Sequence, residues 1–320
     1  MRILIGPNSY GLDAVIPTVQ ARHPDVEIEV CTERELLADA LREADIYLGW
    51  LSREAYLGAG KLKWIQSPST GVDSFLRIPE LRDGDVLLTG AKGTHAACLA
   101  ESAIAMIFAF TRGIRTFIDH QDRKAWASRT VRNALVELTE STVGIVGFGT
   151  VGQALAARVQ AFGACVVATD AFPGDKPDYV ERLTGPEGLG GLLTESDYVV
   201  VTVPLVATTR HMIDAAAMAK MKPTAMLVGI SRGGVIDEGA LAGALISRRI
   251  AAAALDVFEE EPLPEDSPLW DIDNLLITPH AAGGSQHESR HIQDIFIDNV
   301  DRFVAGDVPL RNLIDKQRGF

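Results

Sequence analysis

The tightest constraint on this chain is a spaced set of glycines, Gly147-Phe148-Gly149-Thr150-Val151-Gly152, lying between an apolar strand and a helical stretch. Glycine admits positive φ and lets the main chain approach a neighbour where a Cβ would collide. Gly147 permits the tight turn, Gly149 leaves room for a ligand at the backbone, and Gly152 lets the helix pack on the strand. The N–H groups that open the helix, at Thr150 and Val151, have no intrahelical partner and favour an anion such as a pyrophosphate. Eighteen residues beyond Gly152 a second apolar strand ends in Asp170, where an acid accepts hydrogen bonds from ribose hydroxyls. A glycine string alone is a common turn; strand, helix and acid together make a dinucleotide signature. Asp170 would repel a 2′-phosphate, and Ala171-Phe172-Pro173 brings no arginine or lysine to offset it. The pattern therefore predicts NAD, with NADH preferred over NADPH.

Around this signature, short apolar runs alternate with amphipathic stretches in two blocks, the pattern of a parallel sheet with helices on both faces. The first block has strands at Ile3–Ile5, Val26–Val30, Ile46–Leu48, Leu62–Gln66 and Val86–Thr89, with helices expected over Leu12–His23 and Glu33–Glu43. The second has strands at Val143–Phe148, Val166–Thr169, Tyr198–Val203, Met226–Ile230, Ala252–Val257 and Leu275–Thr278. Leu99–Thr111 is apolar on nearly every face and reads as a helix buried at an interface, and Phe117–Thr139 shows no clear period. His287–Val304 reads as a helix that returns to the first block. The expected fold is α/β: two doubly wound, Rossmann-like parallel-sheet domains with an active-site cleft between them. Residues 1–98 plus 285–320 form a discontinuous, flavodoxin-like substrate domain, and 99–284 form the NAD-binding domain.

Bulk properties narrow the partners. A net charge of −13 argues against nucleic acid and anionic membranes, because polyanions are repelled at long range. No run approaches the eighteen or so apolar residues of a membrane span, and no secretory signal is expected, so the chain is placed in the cytoplasm. Cys31, Cys98 and Cys165 are too few and too scattered for a disulfide framework or a zinc site, so no metal is expected.

A dinucleotide fold does not name a reaction. Three later segments carry chemistry. Arg232, in Ile230-Ser231-Arg232-Gly233-Gly234, follows a strand, and its planar fork suits a carboxylate and a neighbouring carbonyl; a surface arginine before a helix is the competing reading. His280, in Thr278-Pro279-His280, also ends a strand and suits proton transfer to a ketone oxygen as hydride arrives. An acid holding its second ring nitrogen is available in Glu259-Glu260-Glu261, and spacing does not choose among the three.

GFGTVG with Asp170, SRGGVIDE at 231–238, LDVFEEEPLP at 255–264 and TPHAAG at 278–283 together resemble the D-isomer-specific 2-hydroxyacid dehydrogenase family, in order and in spacing, over nearly the whole chain. The resemblance implies that Arg232, Glu261 and His280 form the catalytic set. Arg232 binds and polarises a small 2-keto acid, His280 is the acid/base, and Glu261 tunes His280. It implies that Val203, Pro204, Thr209, Ile230, Ser231, Asp256, His280 and Gly283 join the glycine loop in holding NAD. It implies that Thr70, Gly71 and Val72 bind the substrate carboxylate through backbone N–H groups, with Leu51 lining the same pocket and His280 and Arg232 completing it. A homodimer built on the arm at 99–140 is also implied. Gly229 and Ala91 depart from the family pattern, in which asparagine is frequent at both positions. A formate- or phosphite-type dehydrogenase, and an NAD(H)-sensing co-repressor-like binding protein, share these residues and stay open. The identity of the acid is also open.

Overall fold

The computed structural model describes residues 1–7, 11–126, 128–307 and 309–319, and among these the chain divides into two compact units. One comprises Met1–His95 with Ser285–Phe320, the other Ala96–Gly284.

In the first unit, β1 (Arg2–Ile5), β2 (Glu27–Val30), β3 (Ile46–Leu48), β4 (Trp64–Gln66) and β5 (Leu87–Thr89) form a parallel sheet in the order β2-β1-β3-β4-β5. Side chains alternate across it. Ile3 and Ile5 join one buried cluster with Trp64 and Phe296, while Leu4 joins the other with Tyr47 and Phe75. The helix Glu288–Ala305 covers one face with Ile292, Phe296 and Val300, four residues apart on one stripe. Phe296 stacks on Trp64 with ring centroids 5.4 Å apart. Two sequence expectations are corrected here. Leu12–His23 splits into a 3-10 turn, Leu12–Val15, and a helix, Ile16–Arg22, because Pro17 starts a helix but cannot continue one. Glu33–Glu43 breaks into three short turns in which only Leu37 and Leu41 are buried, too narrow a stripe to hold a continuous helix.

The second unit holds β6 (Thr142–Val146), β7 (Cys165–Thr169), β8 (Arg182–Thr184), β9 (Tyr198–Val201), β10 (Met226–Gly229), β11 (Ala252–Leu255) and β12 (Leu275–Ile277) in the order β12-β11-β10-β9-β6-β7-β8, all parallel. Chain order reverses between β6 and β9, which lie side by side with Val146 opposite Val201. In such a sheet ligands bind beyond the carboxyl ends of the strands at that reversal. Strand β8 carries only three residues and no apolar run, and sequence patterning passes over it. Both faces are buried, Tyr198 and Val200 on one side and Val199 and Val201 on the other, which is why these strands are continuously apolar.

Helix Ala96–Thr111 buries Ala100, Ala103, Ile104, Met106 and Ile107. The segment that follows is not irregular throughout, as its composition suggested. It contains the helices Ile114–Asp122 and Ser128–Arg132. Ile114, Phe117 and Ile118 share one stripe of the first, but that stripe is exposed, so no core demand marks it in the sequence. Residue 127 of this arm lies outside the described residues. No single helix among those described is long and apolar enough to cross a membrane.

Candidate active site

Because all seven strands of the second unit run parallel, the loops that follow them emerge on one edge of its sheet, and those after β6, β7, β9, β10, β11 and β12 carry the candidate catalytic and cofactor residues of that unit. After β6, Gly147 has φ 101° and Gly149 precedes helix Thr150–Ala161. A Cβ on Gly152 would lie 2.2 Å from the carbonyl oxygen of Gly147, an impossible approach, whereas a Cβ on Gly149 would meet nothing within 4 Å. Gly147 and Gly152 are thus needed for packing, and the space at Gly149 fits a bound dinucleotide backbone. The Thr202 hydroxyl, just past β9, donates to the Gly147 carbonyl at 2.7 Å and locks the turn. After β7, Asp170 accepts from the Phe148 N–H at 2.7 Å and the Phe172 N–H at 2.9 Å, one on each carboxylate oxygen. The acid is held beside the glycine loop with lone pairs left for ribose hydroxyls. Beyond Val203 and Pro204, the Thr209 hydroxyl donates to the Pro204 carbonyl at 2.6 Å and accepts from the Val206 N–H at 2.8 Å, closing that loop on itself.

After β10, Ile230 is buried and Ser231 and Arg232 turn outward, with Arg232 Nη1 donating to the Ser231 carbonyl at 2.9 Å. Gly233 sits so close to the next loop that a Cβ there would lie 1.7 Å from the Phe258 carbonyl oxygen. The arginine loop and the loop carrying the three glutamates therefore form one packed layer. A Cβ on Gly229 would lie 2.8 Å from the ends of Ile236 and Leu255, so asparagine there requires those two side chains to move.

The three glutamates diverge. Glu261 Oε2 lies 2.7 Å from His280 Nδ1, and its Oε1 accepts from the Phe258 N–H at 2.9 Å. Glu259 instead pairs with His211 Nε2 at 3.0 Å, and its own N–H donates to Glu238 at 2.5 Å. Glu260 is exposed. A carboxylate facing Nδ1 makes that nitrogen a donor and leaves Nε2 for another partner; among the described residues nothing hydrogen-bonds His280 Nε2. The ring keeps 47% of its surface and Glu261 34%.

His280 has φ 51°, a conformation a side chain of its kind seldom adopts. Its N–H donates to the Asp256 carbonyl at 2.8 Å. The Asp256 side chain, 1% exposed, then accepts from the Thr278 hydroxyl at 2.6 Å and from the N–H groups of Ala281 and Ala282 at 2.9 and 3.0 Å. The buried acid ties both flanks of the histidine to β11. Cys98 and Ser102, on helix Ala96–Thr111, donate to the carbonyls of Gly283 and Ala282 at 3.0 Å each and secure the far end of the loop. Thr202, Thr278 and Ser102 escaped sequence reasoning, because a lone hydroxyl residue carries no periodic signal.

In the first unit the loop after β4 runs through Ser69, Thr70, Gly71 and Val72. Among the described residues nothing accepts a hydrogen bond from the N–H groups of Thr70, Gly71 or Val72. Three open donors in a row suit a carboxylate. After β3, Leu51 turns into the core, while Trp50 keeps its ring partly exposed and its carbonyl accepts from the Tyr47 hydroxyl at 2.7 Å. At this loop the side chain that faces outward is thus Trp50, which the sequence reading passed over.

A family model described as the NAD binding domain of D-isomer specific 2-hydroxyacid dehydrogenases matches residues 104–282. The (S)-sulfolactate dehydrogenase of Chromohalobacter salexigens is 37% identical over 257 residues, covering 79% of this chain and 81% of its own. The glyoxylate reductase of Thermococcus onnurineus is 34% identical over 301 residues, covering 90% and 89%. Among solved structures, a D-isomer specific 2-hydroxyacid dehydrogenase from Xanthobacter autotrophicus Py2, in complex with NADPH and MES, is similar with a TM-score of 0.85 at 29% identity, over 99% of both chains.

Proposed function

The chain belongs to the D-isomer-specific 2-hydroxyacid dehydrogenase family, and from that premise we propose that it reduces a small 2-keto acid to the D-2-hydroxy acid with NADH and catalyses the reverse oxidation with the same residues. It is an oxidoreductase whose second unit carries the NAD-binding domain. The observation that carries the reading is the 2.7 Å contact between His280 Nδ1 and Glu261, with Nε2 left open.

Bound NADH supplies the hydride that adds to the substrate's C2. Arg232 grips the carboxylate and polarises the ketone with its paired N–H donors. As negative charge develops on the ketone oxygen, His280 Nε2–H donates its proton to it, and in the oxidation the neutral Nε2 takes the proton back. Glu261 holds Nδ1–H throughout, fixing the ring's orientation and stabilising the imidazolium from which the proton leaves. Asp256 acts through the loop, keeping His280 in its unusual backbone conformation. In the first unit, the N–H groups of Thr70, Gly71 and Val72 are assigned to the substrate carboxylate. Asp170 is assigned to the ribose hydroxyls and against a 2′-phosphate, which favours NADH even though the Xanthobacter relative was solved with NADPH. The exposed apolar stripe of Ile114, Phe117 and Ile118, with Trp126 beyond it, is assigned to a second copy of this chain. Light scattering that gives a single-chain mass at micromolar concentration removes that assignment.

The test is oxidation of NADH, and separately of NADPH, across a panel of 2-keto acids. The panel includes glyoxylate, hydroxypyruvate, pyruvate and, because of the sulfolactate relative, a sulfonated keto acid. Turnover of at least one acid, faster with NADH, is expected. No turnover on any acid while NADH still binds overturns the reading in favour of an NAD-sensing binding protein.

A further inference from the structure

The first unit contains an enclosed histidine–carboxylate pair, His95–Glu288, and the reaction as described makes no use of it. His95, just past β5, places Nδ1 2.7 Å from the Thr70 hydroxyl and 2.9 Å from the Thr94 hydroxyl, and Nε2 3.0 Å from Glu288 Oε1. The pair is enclosed, with 13% of the His95 side chain and 23% of Glu288 exposed. Glu288 lies 193 residues away in sequence, in the first turn of the helix that returns to this unit. The other ionisable groups at hand are His291, whose Nδ1 lies 3.4 Å from the Thr94 carbonyl, and His287, whose ring centroid is 6.0 Å from that of His291.

Donor counting fixes what the ring does. The Thr94 hydroxyl has one proton and gives it to the Ala91 carbonyl at 2.8 Å, so towards Nδ1 it can only accept. The Thr70 hydroxyl lies 3.1 Å from the same carbonyl and is hydrogen-bonded to Nδ1 at 2.7 Å. Glu288 only accepts, so Nε2 donates. The ring is thus held at both nitrogens, by Glu288 on one side and on the other by the side chain of Thr70, whose own N–H opens the anion-binding loop.

We propose that His95 is a positioning residue for substrate binding: braced by Glu288, it holds the Thr70 hydroxyl and sets the Thr70-Gly71-Val72 N–H groups for the substrate carboxylate. This rests on the assignment of that loop to the substrate. His95 touches neither the reacting atoms nor the cofactor in this account, so its removal weakens keto-acid binding without slowing the chemical step.

The experiment measures kcat and KM for the best keto acid, NADH affinity, and binding of oxamate, a non-reacting keto-acid mimic, to the NADH complex. The proteins are wild type, His95→Ala, His95→Asn and Glu288→Gln. Asn places an amide group where Nδ1 stood. His95→Ala is expected to raise KM and the oxamate Kd about tenfold, the scale of a lost charge-assisted hydrogen bond, with kcat at saturation and NADH affinity near wild type. His95→Asn is expected to recover most of that loss, and Glu288→Gln to fall between the two. Unchanged KM and oxamate binding in His95→Ala overturns the proposal. So does a joint fall in kcat, KM performance and NADH affinity that Asn does not rescue, which marks a purely structural residue. Absence of wild-type turnover on every acid is a separate failure, that of the dehydrogenase reading, and the inference falls with it.

Discussion

Two of the histidine–carboxylate pairs, His280–Glu261 in the second unit and His95–Glu288 in the first, are built from the same groups and differ in how the ring is used. His280 has one nitrogen on Glu261 and the other open, with nearly half its surface accessible. His95 has a partner on each nitrogen and little exposed surface. A proton shuttle needs one nitrogen committed, to fix the ring, and one available to exchange its proton. A ring bonded at both ends exchanges nothing and holds its neighbours instead. Backbone geometry follows the same division. His280 is forced into positive φ on a loop tied down by Asp256, whereas His95 has no such strain. His211, held by Glu259 through Nε2, shares the positive φ, so what sets His280 apart is a carboxylate on Nδ1 with Nε2 open.

The largest effect expected from breaking this contrast is on His280, the proposed acid/base. His280→Ala should lower kcat by about a hundred- to ten-thousand-fold, the usual range for a lost general acid/base, while NADH affinity holds. Because the ring is half exposed and its N–H and C=O bonds belong to the backbone, thermal stability should hardly change. A loss in kcat below tenfold would place the proton transfer elsewhere. Glu261→Gln should cost less, about ten- to a hundred-fold in kcat, since the amide oxygen can still accept from the Phe258 N–H but the negative charge beside His280 is gone. Equal losses in kcat for Glu261→Gln and Glu259→Gln would erase the distinction between the glutamates, because Glu259 faces His211 and not His280.

That distinction also shows what a sequence conveys and what it withholds. Parallel strands announce themselves through runs such as Tyr198–Val201, buried on both faces, and the loops that follow them then fall on one edge without further information. The glycine loop and Asp170 are readable because their spacing is a physical requirement, shown by the 2.2 Å clash a Gly152 side chain would make. Expected strands in the second unit ran one or two residues too far, as at Val143–Phe148 against Thr142–Val146, because Phe148 and Val257 remain buried after the ladder ends. Helix Ile114–Asp122 was missed because its apolar stripe faces outward, and β8 because it has almost no stripe at all. The choice of Glu261 depends on where a tight turn points three adjacent side chains. The His95–Glu288 pair joins residues 193 positions apart. Neither leaves a local pattern.

The smallest effect concerns the acid behind the catalytic loop. Glu238 has its carboxyl pushed above the usual range, chiefly by burial and further by the nearby charges of Glu259 and Glu261, with the Glu259 N–H and His211 pulling the other way. A carboxyl raised in the folded state favours its protonated form there. Its contribution to stability is therefore fully present below its unfolded value, about 4.3, and is lost as pH rises through the raised folded value. Glu238→Gln keeps an oxygen to accept from the Glu259 N–H and removes the charge. Calorimetry should show a gain in Tm of about 1–3 °C at pH 7.5 that shrinks towards zero by pH 4, where wild-type Glu238 is itself neutral. Glu288 instead accepts from His95 at 3.0 Å, so Glu288→Gln should give no Tm gain at pH 7.5. If Glu238→Gln shifts Tm equally at both pH values, charge repulsion behind the catalytic loop is not what the substitution relieves, and the electrostatic part of the contrast between the two pairs fails.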